Sequence, residues 1–186
     1  MWDRTLELAA RWYVFFFMNT YGLAKLIGGQ FYRRGELPAE LSATPIGEVE
    51  AFDLAWTFMG YSFAYMLFIG LAEILGGWLL LWNRTKLLGV AILLPVLANI
   101  LVFDVIFLDK YGALASATIY TLLLLLIAYL NRERVAAAFA SLMGTAAGEG
   151  SMPGRRIRTA VAALVLAALL FGFDQLLVNL FGHGRG

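Results

Sequence analysis

The chain contains no cysteine, and its one histidine, His183, falls within the last four residues. Without thiols there is no disulfide, no thiolate zinc site, no iron–sulfur ligation and no thiol redox chemistry. A single histidine cannot supply both axial ligands of a bis-histidine haem, so an electron-transfer role needs a partner chain or a diffusible carrier. Charge is also scarce: 15% of the 186 residues are Asp, Glu, Lys or Arg, and the net charge is +1. That balance offers no basic surface for nucleic acid.

What is abundant is apolar. Hydrophobic residues make up 61% of the chain and mean hydropathy is +0.77, more than a soluble fold of this length can hide. The apolar residues gather into runs of membrane-crossing length, and the spacing predicts helices near 12–29, 54–82, 87–108, 111–130 and 157–181. A transmembrane β-barrel is excluded, because Leu122 to Ile127 is unbroken and aliphatic where a barrel strand alternates. The first run sits where a signal peptide would, but it carries Asn19 and Lys25 and no small-x-small cleavage site follows, so it is expected to be a retained helix. The fold class read from this pattern is all-α and multi-pass: a four-helix bundle plus a fifth C-terminal transmembrane helix.

Basic residues set orientation. Arg4, Arg11, Arg84, Lys86, Arg132, Arg134, Arg155, Arg156 and Arg158 fall on one side of the five spans; Arg33, Arg34, Lys110 and Arg185 fall on the other. The excess places the N-terminus in the cytoplasm; the expected location is a bacterial cytoplasmic (inner) membrane. Residues 1–130 then form the four-helix unit with an outer loop at 30–53, where Thr44-Pro45 followed by Glu48 reads as a helix start. Residues 131–156 form a cytoplasmic segment, helical or lying on the membrane surface at first and then a glycine-rich linker; 157–186 hold the fifth span and a short tail. Links as short as 83–86 and 109–110 make helices two, three and four sequential antiparallel neighbours.

One phrase is duplicated. GLAKLIGG begins at Gly22 and GLAEILGG at Gly70, with Lys25 where the second copy has Glu73. Successive spans run in opposite directions, so equivalent positions end at opposite depths. With helix midpoints near residues 19 and 68, Lys25 and Glu73 differ in height by about 16 Å at 1.5 Å per residue. The expectation is therefore two polar layers: Arg11 with Glu73 toward the inner face, and Lys25 with Asp104, joined or not by Asp174, toward the outer. Asn19 and Asn99 should form a layer between them. Ionisable groups in hydrocarbon are costly and face the bundle interior; these fix helix register or line a site for a ligand or proton.

Ala24-x-x-x-Gly28 and Ala72-x-x-x-Gly76, with Gly77, are small-residue pairs suited to close helix packing. Because they lie inside helical spans, they are not phosphate-binding loops. Pro95 should kink its helix one turn from Asn99, shaping either a pocket or only the bundle. Five tryptophans lie mostly near span ends, as interfacial anchors do, and WYVFFFM reads as lipid- or partner-facing packing.

A first helix ending in GLAKLIGG, a second carrying GLAEILGGWLLLWNRTKLLG and a third containing LANILVFDVIF together resemble the DoxX-like family of small membrane proteins over about 11–130. The resemblance implies a four-helix membrane bundle without catalytic activity of its own, in some relatives beside a quinone-linked oxidation, in others within redox-stress complexes or in the maturation of membrane proteins. The fifth helix and the 131–156 segment depart from that pattern and suggest an added docking surface.

The expected function is an accessory or structural subunit of a larger membrane complex, respiratory or redox-linked, with lipids and other integral membrane subunits as partners. The alternative is a quinone-binding subunit, in which Lys25, Glu73, Asn99 and Asp104 meet the head group and relay protons; quinone and bound lipid are the ligands considered. Each repeat copy is one helix rather than several, so a transporter built on inverted repeats ranks below both.

Overall fold

Positions 11, 14, 18, 22 and 25 recur three or four residues apart and form the buried stripe of α1 (Trp2–Ile27). A computed structural model describes residues 2–108, 111–144 and 153–181 of the chain, and among them every regular element is helical. The same spacing buries Met66, Gly70, Glu73, Gly76, Gly77 and Leu80 of α4 (Phe63–Leu81), and Ala117, Tyr120, Leu124 and Ile127 of α6 (Tyr111–Leu130). Between them, α5 (Lys86–Phe107) buries Leu93, Leu97 and Asp104. Helices α1, α4, α5 and α6 close into a ring in which each packs on its two neighbours, around a core of Val14, Met18, Leu80, Leu93, Leu124 and Ile127.

In lipid, apolar side chains gain little by turning inward, so close packing and polar contacts must hold such a ring. Glycines supply the approach. A Cβ on Gly22 would lie 2.7 Å from the Gly70 carbonyl oxygen, and one on Gly89 would lie 2.7 Å from the Gly76 oxygen. Backbone therefore rests on backbone between α1 and α4 and again between α4 and α5. Gly76 and Gly77 pack as the sequence suggests, against Leu93 and against Met18 and Asn19. Gly28 does not. It follows the last turn of α1 with φ +83°, and the Gly29 N–H reaches back to the Ala24 oxygen at 2.9 Å. This is a helix stop in the left-handed region, which glycine enters without a Cβ penalty.

The expected single helix over 54–82 is two. Helix α3 (Ala51–Gly60) ends where Gly60 meets the Tyr32 backbone, and α4 starts after Ser62, whose hydroxyl accepts from the Tyr65 N–H at 3.4 Å. Nor does a helix start at Thr44. That residue ends the five-residue α2 (Ala39–Ala43), its hydroxyl donating to the Glu40 oxygen at 2.9 Å, and Pro45 to Glu48 is a turn. Helix α3 folds over one end of the ring and packs Trp56 and Met59 with Phe31, Met66 and Phe103.

Clustering of contacts divides the chain into Met1–Ala137 and Ala138–Gly186. After α6, α7 (Arg132–Met143) is a separate helix rather than an extension of its predecessor, with none of its side chains buried. The second unit is built mainly of α8 (Pro153–Phe181), whose side chains over 157–176 are all exposed. Of the linker read at 144–154, residues 145–152 lie outside the described residues, as do Lys110, Arg185 and His183, whereas Pro153 and Gly154 open the last helix. Among the described residues, four helices are long and apolar enough to cross a membrane: α4, α5, α6 and Ile157–Leu176 of α8. The chain is thus a multi-pass helical membrane protein, clothed in exposed Leu, Phe and Val that suit lipid contact. Helix α1 has the length, but Arg11, Asn19 and Lys25 interrupt its apolar run and it does not join them.

Candidate functional site

The contact between Gly22 and Gly70 sets the register of α1 against α4. Lys25 lies three residues beyond Gly22, and Glu73 three beyond Gly70 in the opposite direction, so their Cα levels differ by about 9 Å. Side chains on a helix lean toward their own N-terminus. In an antiparallel pair the two leans oppose, and here they converge. Lys25 Nζ lies 2.8 Å from Glu73 Oε1 and 2.7 Å from Oε2, with 3% and 1% of the two residues exposed. This corrects the expectation that height keeps them apart. That reading took 54–82 as one helix, which misplaced its midpoint, and compared Cα heights without the lean. Phe31 adds its ring face 5.8 Å from the ammonium.

The same register corrects the partner assigned to Arg11. Eleven residues before Gly22 on α1 and eleven after Gly70 on α4 bring Arg11 level with Leu81, well beyond Glu73. Its guanidinium donates from Nε to the Leu80 oxygen, from Nη2 to the Leu81 oxygen and from Nη1 to Asn83 Oδ1 at 2.7 Å. A planar fork closes the carbonyls that the last turn of α4 leaves open, and its charge opposes the negative end of that helix. Glu7 adds a 3.6 Å ion pair to Arg11 and a 2.5 Å pair to the buried Lys86. Nothing in the sequence reading singled out Glu7 or Lys86; their signal is that both fall on the buried stripes of their helices.

The asparagine layer does not form. Asn19 donates to the Phe15 oxygen of its own helix at 2.8 Å and fills the space beside Gly77, while Asn99 is exposed. Asp174 belongs to the second unit, where Gln175 donates to it at 3.4 Å. Ala24 and Ala72 are half-buried: Ala24 gives its carbonyl to the helix stop, and Ala72 lines a cavity.

Two cavities flank the Lys25–Glu73 pair at the end covered by α3, of about 450 and 430 Å³. Both are walled by Lys25, Gln30, Trp56, Ile100 and Asp104. Tyr21, Ser116 and Tyr120 complete the first; Pro95, Asn99 and Phe103 line the second, so the proline and its neighbouring amide border a cavity after all. Lys25 and Asp104 thus share two walls, but the ammonium is spent on Glu73 and makes no ion pair with Asp104. Five charged side chains are buried among the described residues: Arg11, Lys25, Glu73, Lys86 and Asp104. Four have the partners given above. Asp104, 6% exposed, has no ion pair and no side-chain hydrogen bond among the described residues. Gln30 Oε1 is likewise buried without a partner. Sequence reasoning missed Gln30, Trp56 and Tyr120, since Trp56 and Gln30 enter the site only through the fold-over of residues 28–62. Among the described residues no cluster of three or more His, Asp or Glu is arranged to hold a metal.

Volumes of this size with mostly apolar walls and a few directed polar groups are the form of small-molecule sites. Outside the chain, the uncharacterized protein YwoB of Bacillus subtilis is 35% identical over 136 residues, which cover 73% of this chain and 83% of YwoB. The chain belongs to the YwoB family. No family model matches it, and no solved structure does. Membership of the YwoB family therefore brings no ligand with it, and the chemistry must be argued from the cavity.

Proposed function

We propose that the chain is an accessory subunit of a membrane assembly and that its first unit holds a small amphipathic molecule in the cavities beside Lys25, Glu73 and Asp104. The observation that carries this reading is Asp104: a buried carboxylate without a partner among the described residues, on the shared wall of two apolar cavities. An ionisable group inside a membrane bundle costs free energy unless it is matched. The other four buried charges are matched within the protein, so a match for the fifth comes from what enters.

The accessory role rests on composition. Lacking cysteine, and with its one histidine in the C-terminal tail, the chain has no thiolate and no imidazole pair to hold a redox centre, so a redox-linked role draws on a partner subunit or a diffusible carrier. The exposed apolar length of α8 is a surface for lipid or for such a partner. The arrangement proposed in the membrane has α1 as a fifth crossing, made possible by pairing its charges within the ring, and the N-terminus in the cytoplasm of a bacterial inner membrane, on the excess of basic residues at that face. A DoxX-like affiliation stands on the phrases around Lys25, Glu73 and Asp104.

Quinone is the second reading. A quinone carbonyl needs a donor, and Lys25 lies on both cavity walls; its ammonium is already shared by both Glu73 oxygens, which leaves it one N–H for a carbonyl. Gentle extraction from the native membrane, followed by mass spectrometry of copurifying proteins and bound small molecules, tests the proposal. Stoichiometric partner subunits and a retained small molecule that Asp104→Leu loses are the expected result. An isolated protein with empty cavities overturns it.

A further inference from the structure

Two buried acceptors on the cavity walls are unmatched among the described residues. The Asp104 carboxylate has no partner among the described residues, and Gln30 Oε1 has none either. Both are acceptors, both lie on walls common to the two cavities, and a molecule that satisfies them must bring donors. The charge points the same way. Lys25 and Glu73 neutralise each other at 2.7 Å, which leaves the described lining with one formal negative charge, on Asp104. Around it stand the rings of Tyr21, Trp56 and Tyr120 on one side and of Phe31 and Phe103 on the other. Aromatic faces attract cations, most strongly where water is excluded.

We propose that the site is selective for an organic cation: a protonated amine on an apolar body, with its ammonium on Asp104 and Gln30 Oε1 and its body among the rings. This deepens the ligand-binding reading above and rests on it. A quinone, or the acyl part of a neutral lipid, offers acceptors or nothing to two groups that are themselves acceptors. An anionic head group would face Asp104 with its own charge. Size agrees, since about 450 Å³ takes a compact amphiphile and not a two-chain lipid.

The test uses the full chain in nanodiscs and a matched pair of probes, 4-phenylbutylamine and 4-phenyl-1-butanol, whose bodies are alike and whose heads differ in charge. A short-tailed benzoquinone is the competitor. Binding is read by calorimetry and by thermal shift. The amine is expected to bind at least tenfold more tightly than the alcohol, and Asp104→Asn to abolish that preference by weakening the amine far more than the alcohol. Gln30→Leu is expected to weaken the amine severalfold without touching the charge, which keeps a second reading should the aspartate variant not fold. If amine and alcohol bind equally to the native protein, or the quinone displaces both, the cation assignment is wrong and the cavity remains a ligand site. If none of the three binds, the ligand-binding reading falls, and the cation assignment with it.

Discussion

Removal of one member of the Lys25–Glu73 pair is the sharpest perturbation the structure offers. In Lys25→Met the Glu73 carboxylate, 1% exposed, loses ammonium contacts at 2.7 and 2.8 Å. Breaking a buried pair in this way costs about 3–5 kcal/mol, most of it the penalty of the charge left behind, whereas replacing both members by apolar side chains of similar size is often neutral. Lys25→Met and Glu73→Leu are each expected to cost about 3 kcal/mol or more, and the double variant about 1 kcal/mol or less. The coupling energy is then about 5 kcal/mol or more, above the roughly 0.5–3 kcal/mol usual for contacting residues. Reversible unfolding in mixed micelles by increasing SDS fraction, followed by tryptophan fluorescence, measures all four proteins. The exchanged pair, Lys25→Glu with Glu73→Lys, is a further control. Because both side chains lean toward the space between the helices, it is expected to recover more than half of the lost stability. Single costs that simply add, within about 0.5 kcal/mol, would refute the reasoning.

Three further outcomes follow from particular contacts. Gly22→Ala sets a Cβ 2.7 Å from the Gly70 oxygen, a backbone atom that cannot swing aside, so a loss of about 1–3 kcal/mol is expected in the same unfolding assay, while Gly172→Ala, with open space around it, is expected to be neutral. Arg11→Lys retains the charge but not the fork to Leu80, Leu81 and Asn83; the loss of at least one charged hydrogen bond, about 1.5–3 kcal/mol, should appear first as faster hydrogen exchange in the last turn of α4. Tyr32 donates to Asp53 Oδ1 at 3.0 Å, and burial, then that bond and the carboxylate's charge, raise its hydroxyl above the ordinary 10.0. A raised pKa means the tie contributes fully below pH 10.0 and is lost as pH rises through the higher folded value; the phenolate absorbance difference between native protein and Tyr32→Phe should therefore show a midpoint above 10.0, and a midpoint at or below it counts against the bond.

Much of the architecture was legible from period and composition. The apolar runs, the short links and the cost of ionisable groups in hydrocarbon lead to four packed helices with the charges inward, because lipid permits little else. Two features were not legible for one reason: they depend on where backbones touch. The pairing of Lys25 with Glu73 needs the Gly22–Gly70 contact and a helix start at Phe63, and the sequence marks the latter only by a modest Gly60-Tyr61-Ser62. Gly28 was misread because a small residue four after Ala24 looks alike whether it packs against a neighbour or ends the helix. The distinguishing fact is its φ of +83°, and the sequence hint is the second glycine beside it. Asp104 could be placed at the site from its depth alone, but its lack of a partner required knowing that Lys25 is taken.

That lack of a partner gives the two ends of the ring different meanings. At the Arg11 end both buried cations have acceptors: carbonyls of α4 for the guanidinium, Glu7 for Lys86. Such a cluster is complete without a ligand, and its chemistry explains helix register and nothing more. At the other end the pairing closes on Lys25 and Glu73 and stops one carboxylate short. A device for register alone would be better served by leucine at 104, since a lone carboxylate among apolar walls costs stability and contributes no contact. The uncompensated group therefore marks where the fold holds itself below its own best stability, which is the physical signature of a place kept for something else. Asp104→Leu should on this argument raise the unfolding midpoint while removing the ligand, and a variant that lost both would place Asp104 in the frame of the bundle instead.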